Sequence, residues 1–161
     1  MEGLNLDEEE VADIVTDLRL NRQNSEYCKE DYEDIIQVAG HAELYDYILE
    51  TKDKLTIYKL FDLNKRLFQY VPFPEEAGKM RTDNNLVLGA KFEIVDWREV
   101  AAELAKLQKP VENLMYNVDR LTISEYILRV LKIHHRITQI HPFRDGNGRS
   151  SRALLNWMLR E

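Results

Sequence analysis

Apolar residues recur at helical spacing along most of this chain, with few interruptions. The pattern predicts helices at about residues 7–20, 30–50, 56–69, 97–117, 123–139 and 147–160. Thr122 and Glu125 form a capping box, which predicts that the fifth helix begins beside them. Pro110 is expected to kink or break the fourth helix, because its ring clashes with the preceding turn. The fifth helix is predicted to bury one stripe: Ile123, Ile127, Val130, Leu131, His134 and Ile137.

The pattern changes between the third and fourth helices. Residues 78–95 interrupt apolar positions with Asp83, Asn84, Asn85 and Gly89, residue types that favour turns. A short β-hairpin is therefore predicted at about 78–95. The remaining pattern is helical, so the predicted fold is all-α with this single hairpin as a flap.

Composition narrows the classes of function. A chain of 161 residues that is 44% hydrophobic can build one core. The formal net charge of −7 argues against direct nucleic-acid binding, which normally needs a surplus of Lys and Arg. We expect no membrane span, because no window approaches the roughly 18 apolar residues one needs. A single cysteine, Cys28, and an N-terminal stretch without a signal-like pattern predict a cytoplasmic protein.

Candidate chemistry is concentrated in residues 141–152, which read HPFRDGNGRSSR. Gly146 and Gly148 allow several backbone N–H groups to face one anion at the start of a helix. Arg149 and Arg152 lie one turn apart and can bind phosphate oxygens in bidentate fashion.

Two further side chains of this segment can take part in catalysis. Asp145 can hold Mg²⁺, which prefers one or two carboxylates together with phosphate oxygens. His141 can accept a proton from a hydroxyl near neutral pH. The chain has no Gly-x-x-x-x-Gly-Lys loop, so the common ATPase class is excluded on motif grounds.

This segment resembles the motif of the Fic family, His-x-Phe-x-Asp/Glu-Gly-Asn-Gly-Arg-x-x-Arg, at every defined position. The resemblance covers about residues 56–161. It implies a helical N-terminal region at 1–52 and a Fic core at 53–161, with the flap at about 78–95 and the motif loop and helix at 141–160. It further implies Arg81, Thr82 and Asn84 as flap residues that bind the target beside the nucleotide.

The family's chemistry assigns a role to each motif residue. The resemblance implies that His141 is the base that deprotonates a Tyr, Ser or Thr hydroxyl of a target protein, and that Asp145 binds Mg²⁺. ATP would be the substrate. Its phosphates would be bound by the following residues: Gly146, Asn147, Gly148, Arg149 and Arg152. The expected reaction is transfer of AMP to the target.

Related chemistries would use much of the same site. Phosphate transfer by a Doc-like kinase is one alternative, although that branch tends to replace the second motif glycine, which is intact here as Gly148. Transfer of UMP or phosphocholine, and removal of AMP, are others. The target, its modified residue and the oligomeric state are not fixed by the sequence, and a homo-oligomer stays open.

Inhibition in many Fic proteins comes from a helix with the pattern Ser/Thr-x-x-x-Glu-Gly/Asn. No Ser or Thr of this chain is followed by Glu at that distance, and Leu20 stands four residues after Thr16. A separate antitoxin-like partner, another segment, or no inhibitor at all remain the alternatives. The resemblance also implies further helices after the motif helix. Without them, these apolar residues are expected to be poorly covered: Leu154, Leu155, Trp157, Met158 and Leu159.

Overall fold

The computed structural model of this chain describes residues 8–20, 29–71, 75–85 and 93–161. Six α-helices lie in these ranges: α1 (Glu8–Arg19), α2 (Lys29–Glu50), α3 (Lys59–Leu67), α4 (Val100–Tyr116), α5 (Ile123–Ile140) and α6 (Asn147–Arg160). Two 3-10 turns, Trp97–Glu99 and Val118–Arg120, lead into α4 and α5. The predicted all-α class is confirmed.

The predicted hairpin is only partly within the described residues. Its outer parts, 78–85 and 93–95, contain turns and irregular backbone and no strand. Its centre, 86–92, lies outside the described residues. Across the ranges that are described, no helix has the length and apolar character needed to cross a membrane.

The predicted start of α5 is confirmed by its cap. The Thr122 hydroxyl accepts from the backbone N–H of Glu125 at 3.3 Å, and the Glu125 carboxylate accepts from the backbone N–H of Thr122 at 3.0 Å. Two otherwise unpaired amides are thereby satisfied. α5 runs from this cap to the loop that carries the candidate chemistry.

The predicted buried stripe of α5 is wrong at three of its six positions, because Ile123, Ile127 and Leu131 are exposed. Ile123 is 79% exposed and Leu131 is 48% exposed. Tyr126 packs against the core instead, and its hydroxyl donates to the Met158 carbonyl on α6. From there the face continues at helical spacing through these buried residues: Val130, Ile133, Ile137 and Ile140.

α4 continues through Pro110 without a break. Proline removes one helical N–H, but Pro110 is on the exposed side of the helix, where water can satisfy the freed carbonyl. Buried residues on both sides of the proline, among them Leu107 and Val111, hold the two halves against the core. Tertiary packing therefore outweighs the local penalty.

α6 packs against α3 and α5 and supplies the centre of the core. Leu154, Trp157 and Met158 are fully buried, so the expectation that they would be poorly covered is wrong for these three. Leu155 is half-buried, and Leu159 is 48% exposed as expected. Trp157 meets the ring of Tyr47 on α2 edge-on at 5.6 Å. One cluster of buried residues takes side chains from α2 through α6, which fixes α6 and hence its N-terminus.

Candidate active site

The candidate site is the short connection between α5 and α6. α5 ends at Ile140, and His141 follows in the left-handed conformation, with φ 51° and ψ 60°. No other described residue except glycine has positive φ. For a side chain larger than hydrogen this conformation costs roughly 1–2 kcal/mol. The turn at His141 must therefore be stabilised by contacts around it.

Asn147 braces the loop from within. Its side-chain oxygen accepts from the Phe143 N–H at 2.8 Å, and its side-chain nitrogen donates to the Phe143 carbonyl at 2.7 Å. Phe143 is itself buried and meets Phe61 on α3 edge-on at 5.3 Å. Because both side-chain atoms of Asn147 bond Phe143, only its backbone N–H is available for the predicted phosphate binding.

The first turn of α6 presents backbone amides that lack helical acceptors. The first helical bond runs from the Ser150 N–H to the Gly146 carbonyl at 2.8 Å, so the amides of Asn147, Gly148 and Arg149 precede the helical ladder. These amides and the positive end of the helix dipole favour negative charge at this point. The Gly146 N–H is occupied by the Asp145 carboxylate at 2.5 Å.

Gly146 is fixed by the surface of α3. Its φ of +74° is left-handed, and a Cβ placed there would lie 2.7 Å from the Phe68 ring and 2.8 Å from the Leu67 side chain. Only glycine allows this approach. The motif helix can therefore start close against α3.

Asn64 on α3 ties three segments together, and no sequence pattern pointed to it. Its side chain is buried and donates to the Asp145 carbonyl at 3.1 Å and to the Ser150 hydroxyl at 3.2 Å. Its oxygen accepts from the Gly78 N–H at 2.8 Å. One amide therefore connects α3, the motif loop and the start of the predicted flap.

Gly146→Ala is expected to destabilise the protein strongly. The left-handed conformation and the overlap with α3 together should cost about 2–5 kcal/mol of unfolding free energy, measurable by urea denaturation. Gly148→Ala is the matched control, because its nearest neighbour is the mobile end of Arg152 at 3.2 Å and it lies inside α6. That control should keep or raise stability by up to roughly 1 kcal/mol. Equal stability of the two variants would contradict this view of the helix start.

The charged motif residues have different surroundings. Asp145 has a side chain that is 73% exposed, and one of its oxygens lies 3.6 Å from the Arg149 guanidinium. Arg149 also donates to Gln37 on α2 at 2.8 Å and lies over the ring of Phe68. Arg152 is exposed, and among the residues whose side chains the structure describes (9–20, 35–71, 75–85 and 93–161) no acid forms an ion pair with it. The carboxylate and the second arginine are therefore accessible to a ligand.

α2 lies beside the motif arginines, which the sequence did not indicate. His41 on α2 has a pKa below its ordinary value because burial disfavours the charged ring, and the nearby Arg149 and Arg152 add to the shift. A neutral His41 adds no further positive charge beside the two guanidinium groups. Gln37 and His41 are thus additional candidates for residues that shape the anion site.

His141 is electrostatically suited to accept a proton. Burial lowers the pKa of its imidazole below the ordinary value, although a hydrogen bond to the Thr138 carbonyl opposes the shift. The charge of Arg81 lowers this pKa further, and that of Asp145 raises it. The imidazole is therefore neutral near pH 7. In a neutral imidazole one ring nitrogen carries the hydrogen and the other can accept a proton.

The predicted flap residues lie alongside the motif loop but differ in exposure. Arg81 is 3% exposed and points inward, whereas Thr82 is exposed. The Asn84 side-chain oxygen accepts from the Trp97 N–H at 2.9 Å, which places it at the base of the segment. Asn85 donates to the Phe143 and Arg144 carbonyls at 3.1 and 3.0 Å. Of the three predicted flap residues, Thr82 and Asn84 are therefore exposed and Arg81 is buried.

The donors present fit a magnesium ion that is held largely by a bound nucleotide. Within the part of the chain that the structure describes, no group of three or more His, Cys, Asp or Glu side chains could hold a metal. Asp145 offers one exposed carboxylate next to the anion-binding helix start. One carboxylate with phosphate oxygens is a donor set that Mg²⁺ accepts.

Comparison with known proteins agrees with this geometry. Protein adenylyltransferase fic-1 of Caenorhabditis elegans is 31% identical over 107 residues, 66% of this chain and 20% of that protein. Protein adenylyltransferase Fic of Drosophila erecta is 30% identical over 111 residues, 69% of this chain and 21% of that protein. The chain thus spans about a fifth of the length of these curated relatives.

Solved structures share the fold. A Fic-1 structure from C. elegans superposes with a TM-score of 0.66 at 20% identity, over 97% of this chain and 43% of that one. A Fic domain-containing signaling protein from Bacteroides thetaiotaomicron gives a TM-score of 0.61 at 24% identity, over 98% of this chain and 57% of that one. The model of the Fic/DOC family matches residues 54–159, which include the loop and all of α6 except its last residue. This chain therefore belongs to the Fic/DOC family.

Proposed function

We propose that this domain transfers AMP from ATP to a Tyr, Ser or Thr hydroxyl of a target protein. One observation carries the proposal: a neutral, half-buried imidazole and an anion-binding helix start lie at the two ends of one braced loop. The names of the curated relatives, which are protein adenylyltransferases, support the same chemistry.

Each residue of the site has a separate role in the proposed transfer of AMP. His141 takes the proton of the target hydroxyl while its oxygen forms a bond to the α-phosphorus of ATP. The bond from that phosphorus to the bridging oxygen of the β-phosphate breaks, and pyrophosphate leaves with the electron pair. The amides of Asn147, Gly148 and Arg149 stabilise the charge on the phosphates, and Arg152 binds the terminal phosphate. Positioning and charge neutralisation suffice, so no covalent enzyme intermediate is required.

Asp145 would hold Mg²⁺ at the side of the phosphates. When bound there, the ion would offset negative charge on the α- and β-phosphates. The backbone at Asp145 is held in place by Asn64, whose side chain donates to the Asp145 carbonyl. The carboxylate therefore starts from a defined position beside the first turn of α6.

The exposed Arg152 suggests how transfer could be inhibited. Arg152 is exposed, so an inhibitor that supplies a carboxylate to Arg152 could exclude the terminal phosphate. We propose a separate antitoxin-like protein as one such inhibitor. We also propose that the domain acts in the cytoplasm, where ATP is abundant and where a lone Cys28 stays reduced.

Labelling with two forms of ATP tests the reaction. The protein is incubated with Mg²⁺, a cell lysate and either α-labelled or γ-labelled ATP, and labelled proteins are identified by mass spectrometry. AMP transfer predicts that label from the α-position alone appears on protein hydroxyls. Label from the γ-position alone would replace the proposal with phosphate transfer. Parallel reactions with α-labelled UTP, CTP and GTP define the preferred base.

A further inference from the structure

Arg81 is the one arginine among the described residues that is almost completely buried, and it lies outside the motif. Its guanidinium donates only to uncharged oxygens. Its bonds are Nε to the His141 carbonyl at 2.7 Å, Nη1 to the Asp83 carbonyl at 2.8 Å and the Asn84 side chain at 3.2 Å, and Nη2 to the Val95 carbonyl and to the Ile140 carbonyl at 3.4 Å. Every nitrogen of the guanidinium is therefore engaged within the protein.

Two of these acceptors end helix α5. The carbonyls of Ile140 and His141 lie where the helix stops and the left-handed turn begins. Carbonyls at a helix C-terminus lack helical donors and carry the negative end of the dipole, so a guanidinium satisfies both their hydrogen bonds and their charge. The backbone N–H of Arg81 also donates to the Pro142 carbonyl at 2.9 Å. Arg81 thus bonds three successive residues at the turn that carries the candidate base.

The other acceptors lie on both sides of residues 86–92. Asp83 and Asn84 precede that stretch, and Val95 follows it. The Val95 N–H in turn donates to the Gln139 carbonyl on α5 at 3.1 Å. One planar group therefore connects both ends of the flap segment to the backbone of His141, 60 residues away in sequence.

We propose that Arg81 is a positioning residue. It sets the orientation of the His141 imidazole and the position of that ring relative to the flap, where the target would lie. It acts through His141 and does not touch the substrate, because its side chain is buried and its donors are all used. The inference rests on the proposed function in that His141 is the base there. The hydrogen-bond arrangement itself can be tested without any activity.

Arg81→Lys is the informative variant. A lysine keeps the charge, but its single ammonium group cannot reach acceptors on both α5 and the flap in the planar geometry of a guanidinium. We expect kcat to fall by about 10- to 100-fold with KM for ATP changed by less than about 2-fold, since misplacement of a catalytic group costs up to roughly 100-fold. The His141 ring resonances in two-dimensional NMR should also shift.

Arg136→Lys is the matched control. Arg136 lies on α5, where it donates to Glu103 and Gln139 and joins α5 to α4, so it shares the helix but not the loop. This control should keep kcat and leave the His141 resonances unchanged. An Arg81→Lys protein with unchanged kcat, or with KM for ATP raised while kcat is kept, would overturn the positioning role.

A measurement on the unaltered protein covers the case in which Arg81→Lys does not fold. The Nε–H of Arg81 should exchange with solvent far more slowly than that of the exposed Arg98, because it is buried and bonded to the His141 carbonyl. Fast exchange at Arg81 would refute the proposal. If the unaltered protein shows this slow exchange but transfers no AMP, the proposed function fails while the bond between Arg81 and His141 stands.

Discussion

His141→Ala should abolish AMP transfer and leave ATP binding within about 2-fold of the unaltered protein. A general base contributes on the order of 100- to 10,000-fold in rate, and His141 is the neutral imidazole at the end of the motif loop. The proposed phosphate site is the first turn of α6, at the other end of that loop, so ATP binding should not need the ring. Initial rates with α-labelled ATP and titration calorimetry measure the two effects.

A second variant separates lost chemistry from altered backbone. His141 has positive φ, which alanine disfavours and asparagine tolerates, so His141→Asn keeps the turn with no useful base. Both variants should be equally inactive. His135→Ala, which removes an exposed imidazole from α5 outside the loop, should keep full activity. Transfer by His141→Asn at the unaltered rate would disprove the role of the base.

The pH profile of the unaltered protein gives an independent check. Only neutral His141 can accept a proton, and burial places its pKa below the ordinary 6.5. Activity should therefore rise with pH through that lowered value and be level by neutral pH. A rise centred above 6.5 would mean that a different group is the base.

Much of the site could be predicted because its information is local. The capping box of α5, the glycines of the loop and the start of α6 act within a few residues of one another, so sequence spacing describes their geometry. The same locality explains why 141–152 could be interpreted as an anion site. Gly146 was expected to supply conformational freedom, and its φ of +74° confirms that use.

The remaining errors come from interactions that spacing does not contain. Asn64 and Arg81 reach the motif loop across 81 and 60 residues. No pattern indicates Asn64, and the family resemblance implies Arg81 as a flap residue without indicating its bonds to the loop. The predicted stripe on α5 omits Tyr126, which packs against the core while its hydroxyl donates to the Met158 carbonyl. The prediction that Pro110 breaks α4 considers only the local cost of proline, whereas contacts of α4 with the core keep the helix continuous.

The buried residues Asn64 and Arg81 stabilise the motif loop at its two ends. Asn64 bonds the end of the loop at Asp145, and Arg81 bonds its beginning at His141. Each also bonds the segment that begins at Gly78, so the flap segment and the loop share their anchors. The backbone at His141 and at Asp145 is therefore held by side chains that lie outside the motif.

Asp145→Asn should lower AMP transfer by about 100-fold or more and should raise the Mg²⁺ concentration needed for half-maximal rate. Asparagine keeps a side-chain oxygen that can accept from the Gly146 N–H, so the start of α6 is preserved while the charge that attracts Mg²⁺ is removed. Initial rates over a range of Mg²⁺ concentrations measure both effects.

The control for this variant is Asp119→Asn, which removes one exposed carboxylate from the 3-10 turn before α5, away from the site. Because overall charge changes equally in the two proteins, a difference between them reports the position of the carboxylate. Loss of the Asp145 charge next to the helix start should cost at most roughly 1 kcal/mol of stability, so unfolding cannot account for a 100-fold loss of rate. An Asp145→Asn protein with unaltered rate and unaltered Mg²⁺ dependence, or an unaltered protein that works fully in chelator, would show that Asp145 does not bind the ion that transfer requires.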